Sequence, residues 1–391
     1  MRPLLRFFSF SLLSLIVFTL SCTTNSTVTS PDIPEDVGHS DIAASTDPEF
    51  ETAEEDATAE EDATAEEDAT AEEDATAEED ATISPDTGSL EPITYTLEFG
   101  PIFVEPYVEN TQCVITRLGN TEDLYVTMIE NSIGEVSHHF IIYKVNDEEE
   151  QTTPFECFPF LDTLDPDAGL PLMITQKAED ILELPEGVAF KLDAEQMVRL
   201  ELHYINLQPE PAEFSTTTTI TGYTDGSTLE EANFLFIGTP DVSLPPEQAS
   251  TLGPITFQPP EILEDANFFG ITGHTHQWGT NVQVYLIDDS GQETPVYDVP
   301  DWDWHESETI YHNPPFQVTP NGAFQFTCEY YNGSSSHVYF GEEFNDEMCF
   351  FWAYYYPSEG YFICIHTDEY GGYDVCCPSD DFLCNLIPRF F

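Results

Sequence analysis

Positive charge is what this sequence lacks most. Eight Lys and Arg stand against 75 Asp and Glu, for a formal net charge of −67. Arg2 and Arg6 fall in the N-terminal leader, so six of the eight cations remain beyond it. Such a polyanion repels phosphate backbones and anionic head groups, which excludes nucleic acid as a partner and a bare lipid surface as a docking site. It attracts metal cations, and salt screens its self-repulsion. Long amphipathic helical patterns are also missing. In their place stand short alternating runs, among them "DLYVTMIE", "QMVRLELHYINL" and "NVQVYLID", separated by Pro, Gly, Asn and Asp clusters. This pattern predicts an all-β chain of antiparallel, jelly-roll-like β-sandwiches, and the roughly 300 residues that follow residue 90 suffice for two in tandem.

The leader "MRPLLRFFSFSLLSLIVFTLSC" has an apolar run, Phe7 to Leu20, too short for a comfortable membrane span, and small Ser21 before Cys22. It resembles a bacterial lipoprotein signal in which Cys22 becomes the acylated N-terminus, with ordinary secretion or a retained anchor as alternatives. Each of the three takes the chain out of the cytoplasm. The lipoprotein reading implies a membrane partner through the Cys22 lipid and a location on the bacterial cell envelope, at the outer membrane or cell surface. Residues 52–81 are five copies of "TAEEDA". Their six-residue period fits neither helix nor strand and they hold no large apolar side chain, so a disordered, self-repelling tether is expected over 23–90. Folded structure is expected from 91, as one sandwich over 91–228 and a second over 229–391, with the change near "TGYTDGSTLEEANF".

Nine cysteines in an exported chain imply disulfides. With Cys22 lipidated, eight remain. Cys364, Cys376, Cys377 and Cys384 crowd the C-terminal tail, where a zinc site is the rival reading. If cysteines are paired, histidine carries any metal chemistry. "GHTH" puts His274 and His276 two residues apart, on one face of a strand, with a bite suited to one ion. "SHHF" supplies His138 and His139, which can share an ion only at a strand end or bulge or through different ring nitrogens. In "MVRLELHYINL", Val198, Leu200, Leu202 and Tyr204 form the apolar face. Arg199, Glu201 and His203 then lie on the other, so His203 is not expected in the core. In "FNDEMCFFWAYYYP", Met348 shares a face with Phe350, Trp352 and Tyr354, which by itself reads as a core methionine.

In chain order, "HHF", "LHY", "HTH" and "DEMC" resemble the copper type II ascorbate-dependent monooxygenases, the family of peptidylglycine α-hydroxylating monooxygenase and dopamine β-hydroxylase. The likeness extends through "LPEGVAF" and "VYFGEEFNDEMC", from about residue 91 to about 365. It implies two β-sandwich domains, each binding one copper, facing each other across a solvent-filled cleft. His138, His139 and His203 match the copper that stores an electron. His274, His276 and Met348 match the copper at which dioxygen meets substrate, so catalysis is expected there. Imidazole suits both copper oxidation states and a thioether favours Cu(I), whereas zinc gains nothing from methionine. The resemblance also pairs Cys113 with Cys157 and Cys328 with Cys349.

Peptide-amidating members grip a substrate carboxylate at positions occupied here by Thr272, Phe350 and Trp352. With that clamp gone, peptide amidation is not expected, and these side chains suggest an aromatic-walled pocket for an apolar or aromatic small molecule. The function expected is a copper-dependent monooxygenase, with two coppers per chain, that hydroxylates a C–H bond using dioxygen and ascorbate or another one-electron reductant. A non-catalytic copper-binding or adhesion lipoprotein on the same fold is the alternative.

Overall fold

A computed structural model describes residues 91–134, 136–157, 169–368, 372–378 and 384. All of them belong to one unit, Thr82–Phe391. The leader, Cys22 and the acidic repeats lie outside the described residues.

The regular structure of those residues is almost wholly β, with a short 3₁₀ turn at Glu261–Leu263. The first half forms two sheets. In one, the strands Ile93–Val104, Ala212–Tyr223, Leu124–Ser132, Val188–Leu192 and Glu230–Glu231 lie in that order, and Glu179–Glu183 also pairs with Leu124–Ser132. The facing sheet runs Gln151–Glu156, Glu109–Arg117, Met197–Ile205, Ser137–Val145, Leu170–Thr175. Val126, Ile129 and Ile220 of the first sheet and Phe140, Ile142 and Leu200 of the second fall in one apolar core, which makes the pair a sandwich. The chain leaves the first sheet at Glu231 and starts the first strand of the second half at Asn233.

The second half repeats the architecture. A six-stranded sheet runs Thr309–Gln317, Asn267–His274, Cys349–Tyr356, Asn233–Thr239, Phe362–Thr367, Tyr373–Cys377, and a four-stranded sheet runs Gln248–Phe257, Ala323–Asn332, Gly279–Ile287, Glu293–Asp298. Pairing is antiparallel except between Asn233–Thr239 and Phe362–Thr367 and between Glu230–Glu231 and Val188–Leu192.

The strand Cys349–Tyr356 positions the two halves. Its side chains alternate, as period-two geometry requires, but both faces are buried. Phe351, Ala353 and Tyr355 fill the core of the second sandwich. Met348, Phe350, Trp352 and Tyr354, with Phe234, Phe236 and Phe269, join the core of the first. The Phe236 ring stacks on Phe350 at 4.9 Å and lies within 5° of parallel to Trp352. An apolar face this large leaves water by packing on the neighbouring sandwich, so the halves are joined by a dry aromatic layer. At this layer the two sandwiches touch directly, with no solvent-filled cleft between the stacked rings.

Four disulfides staple the strands. Cys113–Cys157 and Cys328–Cys349 form the two expected pairs, and the tail cysteines close as Cys364–Cys376 and Cys377–Cys384 rather than as a zinc site.

Candidate metal centre

The four motifs converge at the junction of the two sandwiches. Ser137–Val145 pairs with Met197–Ile205 through a register shift between Ser137 and His139, after which His139 lies directly across from His203. The irregularity frees His138 from strict alternation. The two adjacent histidines therefore turn toward the same place, with ring centroids 5.5 Å apart and each within 5.3 Å of His203. His274 ends the strand Asn267–His274, and His276 follows in the turn leading to Gly279. Their ring centroids are 5.3 Å apart. His138 and His276 approach to 6.1 Å between ring centroids, so the two sets adjoin in one histidine nest.

All five imidazoles are at most 3 % exposed. For His203 this corrects the expectation from alternation: it does lie opposite the apolar face, but that second face is covered too. Arg199 and Glu201 are buried beside it, the Arg199 guanidinium 4.3 Å over the Tyr143 ring and the Tyr143 hydroxyl donating to Glu201 Oε2 at 3.2 Å. Alternation reports which face a residue takes, not whether that face meets water.

Burial pushes His138, His139 and His274 well below the ordinary histidine range, and His276 down to about 4, with the neighbouring imidazoles adding to the effect. These four imidazoles are thus neutral at neutral pH, the form in which imidazole binds metal. Hydrogen bonds select the metal-facing nitrogen. His276 Nδ1 donates to the carbonyls of Glu343 and Asp346 at 3.1 and 3.2 Å, leaving Nε2 with the lone pair. His274 Nδ1 donates to Gln176 Oε1 at 3.2 Å, which again leaves Nε2. His203 Nε2 donates to Glu109 Oε1 at 3.0 Å, so Nδ1 is its acceptor atom, 3.1 Å from His139 Nε2. His138 Nδ1 is buried with no hydrogen-bond partner among the described residues. Oriented, neutral nitrogens and an orphaned buried one fit a thiophilic, imidazole-binding ion such as copper.

Met348 is 2 % exposed. Glu347, wholly buried, ties it to the histidines: Oε2 accepts from the N–H of His276 at 2.8 Å and of Met348 at 3.1 Å, and Oε1 from the N–H of Trp278 at 2.6 Å. Burial raises this carboxyl to about 8 even against those bonds. On its other side the Met348 carbonyl accepts from the Tyr330 hydroxyl at 2.8 Å, and Cys349 is held by Cys328.

Residues 231–374 match the family described as copper type II ascorbate-dependent monooxygenase, C-terminal domain. That span carries His274, His276 and Met348 of the monooxygenase pattern; His138, His139 and His203 precede it. No curated protein matches the chain. Among solved structures, N-glycanase F (PNGase F) is similar at 12% identity over 68% of this chain and 94% of its own, with a TM-score of 0.29. A tail fiber protein from an E. coli phage is similar at 9% identity over 69% of this chain and 36% of its own, with a TM-score of 0.14.

The residues expected to wall a substrate pocket do not do so. Thr272, Phe350 and Trp352 are at most 2 % exposed. Thr272 Oγ1 meets Thr309 Oγ1 at 2.7 Å, and the two aromatic rings belong to the layer between the sandwiches. Residues that sequence reasoning passed over include Glu109 and Gln176, which sit in no motif, and Glu347, which lies inside "DEMC" and was legible only as a neighbour of the methionine. Another potential ligand group, Asp241, His366 and Asp368, has donor atoms within 4.8 Å of one another at the end of the strand Phe362–Thr367.

Proposed function

We propose that this chain is a copper-dependent monooxygenase, with His138, His139 and His203 holding one copper and His274, His276 and Met348 a second. The observation that carries this reading is the convergence of five motif histidines, all buried, on one nest whose methionine is tied to it by a shared Glu347 carboxyl. Bound copper would supply the one-electron chemistry that activates dioxygen and hydroxylates a C–H bond, with electrons from ascorbate or another reductant. The protein's own contribution is to keep His138, His139, His274 and His276 unprotonated, fix which ring nitrogen faces inward, and hold bulk water away. Thr272, Phe350 and Trp352 offer no charge to a peptide carboxylate, so the substrate is not a peptide C-terminus. The test is metal analysis after copper loading and a calcium wash to strip surface carboxylates, joined to oxygen uptake driven by reductant. Two retained coppers with reductant-dependent uptake support the reading, and fewer than two refute it. Copper binding without turnover is the second reading, favoured by the closed packing of Phe350 and Trp352. It requires two coppers and no oxygen uptake with any substrate. From the leader we also propose a lipid anchor at Cys22 on the cell envelope. Cys22→Ser should move the protein out of the membrane fraction, and a variant that stays there refutes the anchor.

A further inference from the structure

The five histidines of the nest are sealed from solvent, yet an ion has to reach them. A sixth imidazole faces them from outside. His305 is exposed, in the loop between the strands Glu293–Asp298 and Thr309–Gln317, and its ring centroid lies 6.0 Å from that of His138. Its neighbour Trp304 packs 5.4 Å from His138 and 5.7 Å from Phe344. The loop is held in this pose from both ends. Asp303 Oδ1 accepts from the His305 N–H at 2.9 Å. The Trp304 carbonyl accepts from Gln176 Nε2 at 3.4 Å, and the same Gln176 amide accepts from His274.

The other side of the loop is an acidic basin. Asp301, Asp303, Glu306, Glu308 and Glu179 line an open cavity of about 470 Å³ together with Val299, Pro300 and Trp302. Lys177, the one cation in that lining, is paired with Glu308 at 3.2 Å. The loop therefore presents carboxylates outward and His305 toward His138, whose Nδ1 is buried without a partner. Carboxylates in a concave site concentrate cations but hold soft ions weakly, while imidazole holds them well. A gradient of donor strength runs from the basin to the nest.

We propose that His305 is the handover ligand for copper: it takes an ion gathered in the acidic basin and passes it to His138. This rests on the copper reading above. The step is a ligand exchange in which a copper–nitrogen bond to His138 replaces one to His305, with no electron moved and the oxidation state unchanged. His305 is then a kinetic ligand, absent from the resting centre.

The test is the rate at which metal-free protein takes Cu(I) from its coloured bicinchoninate complex, followed by loss of the chelate absorbance, with the copper retained at equilibrium measured separately. His305→Ala is expected to slow uptake by about tenfold, the lower end of what local ion concentration does for association rates. It should leave two coppers per chain at equilibrium. His305→Met, which restores a Cu(I) donor, is expected to recover the rate. Uptake by His305→Ala at the wild-type rate overturns the proposal, and so does a drop to one copper at equilibrium, because His305 would then be a resident ligand. A wild-type protein that retains fewer than two coppers instead refutes the copper reading on which the proposal rests.

Discussion

The Glu347 carboxylate is the point at which a small change in chemistry should be felt most clearly. It is fully buried and accepts the N–H groups of His276, Met348 and Trp278, the last two through different oxygens. Above pH 8, where the assays are run and this carboxyl is ionised with both oxygens accepting, Glu347→Gln keeps the shape but leaves only one acceptor atom. If the remaining oxygen serves His276 and Met348, the new NH2 faces the Trp278 N–H, donor against donor. One buried donor left unsatisfied costs about 1–3 kcal/mol, so the Gln variant should lose roughly 2 kcal/mol of stability. Glu347→Ala abandons all three N–H groups and adds a cavity, so it should lose at least twice that. Denaturant unfolding of the metal-free protein measures both losses. Competition with a copper chelator measures whether the turn His276–Gly279 still presents its imidazole. The order expected in both assays is wild type, then Gln, then Ala. An Ala variant as stable as the Gln variant, or a Gln variant with unchanged midpoint and unchanged copper retention, would refute the argument that this carboxylate organises the turn.

Met348→Ile keeps volume and apolar character and should cost under about 1.5 kcal/mol. X-ray absorption of the reduced, copper-loaded variant should lose the copper–sulfur signal that His203→Ala retains, and a surviving signal means the thioether is only core. Removing the staple with Cys328→Ala and Cys349→Ala should destabilise by about 3 kcal/mol from loop entropy across a separation of 21 residues. It should also speed hydrogen exchange at the Met348 amide, and unchanged exchange there denies the disulfide any part in holding the methionine. Burial raises the Asp180 carboxyl from its ordinary 3.8 to about 6. The folded state then holds the proton to higher pH than the unfolded one, so this contribution is complete below 3.8 and declines as pH rises through 6. Asp180→Asn should therefore gain stability over wild type as pH goes from 4 to 6, and a gap that is flat across that range contradicts the burial.

Local pattern was enough for the all-β class, because period-two alternation and turn residues are written into neighbouring positions. It was also enough to nominate His138, His139, His203, His274, His276 and Met348, since each motif is a short string whose order along the chain carries the resemblance. Chain order could not say how near two motifs come in space. The approach of His138 to His276, and the absence of a cleft at the stacked rings, follow from an aromatic face on the strand Cys349–Tyr356 that buries itself against the other sandwich. Nor could alternation reveal that the polar side of Met197–Ile205 is covered, which is why His203 is sealed in. The tail cysteines show the same division. Their crowding in sequence announced some cross-link, but the pairing Cys364–Cys376 depends on two antiparallel strands bringing those residues opposite each other. Gln176, Glu109 and His305 stand far from the motifs in sequence, and only long-range strand and loop packing brings them to the imidazoles. Short-range pattern fixes which residues can do chemistry, while the burial of large apolar faces, a property of the whole chain, decides which of them meet and whether water reaches them.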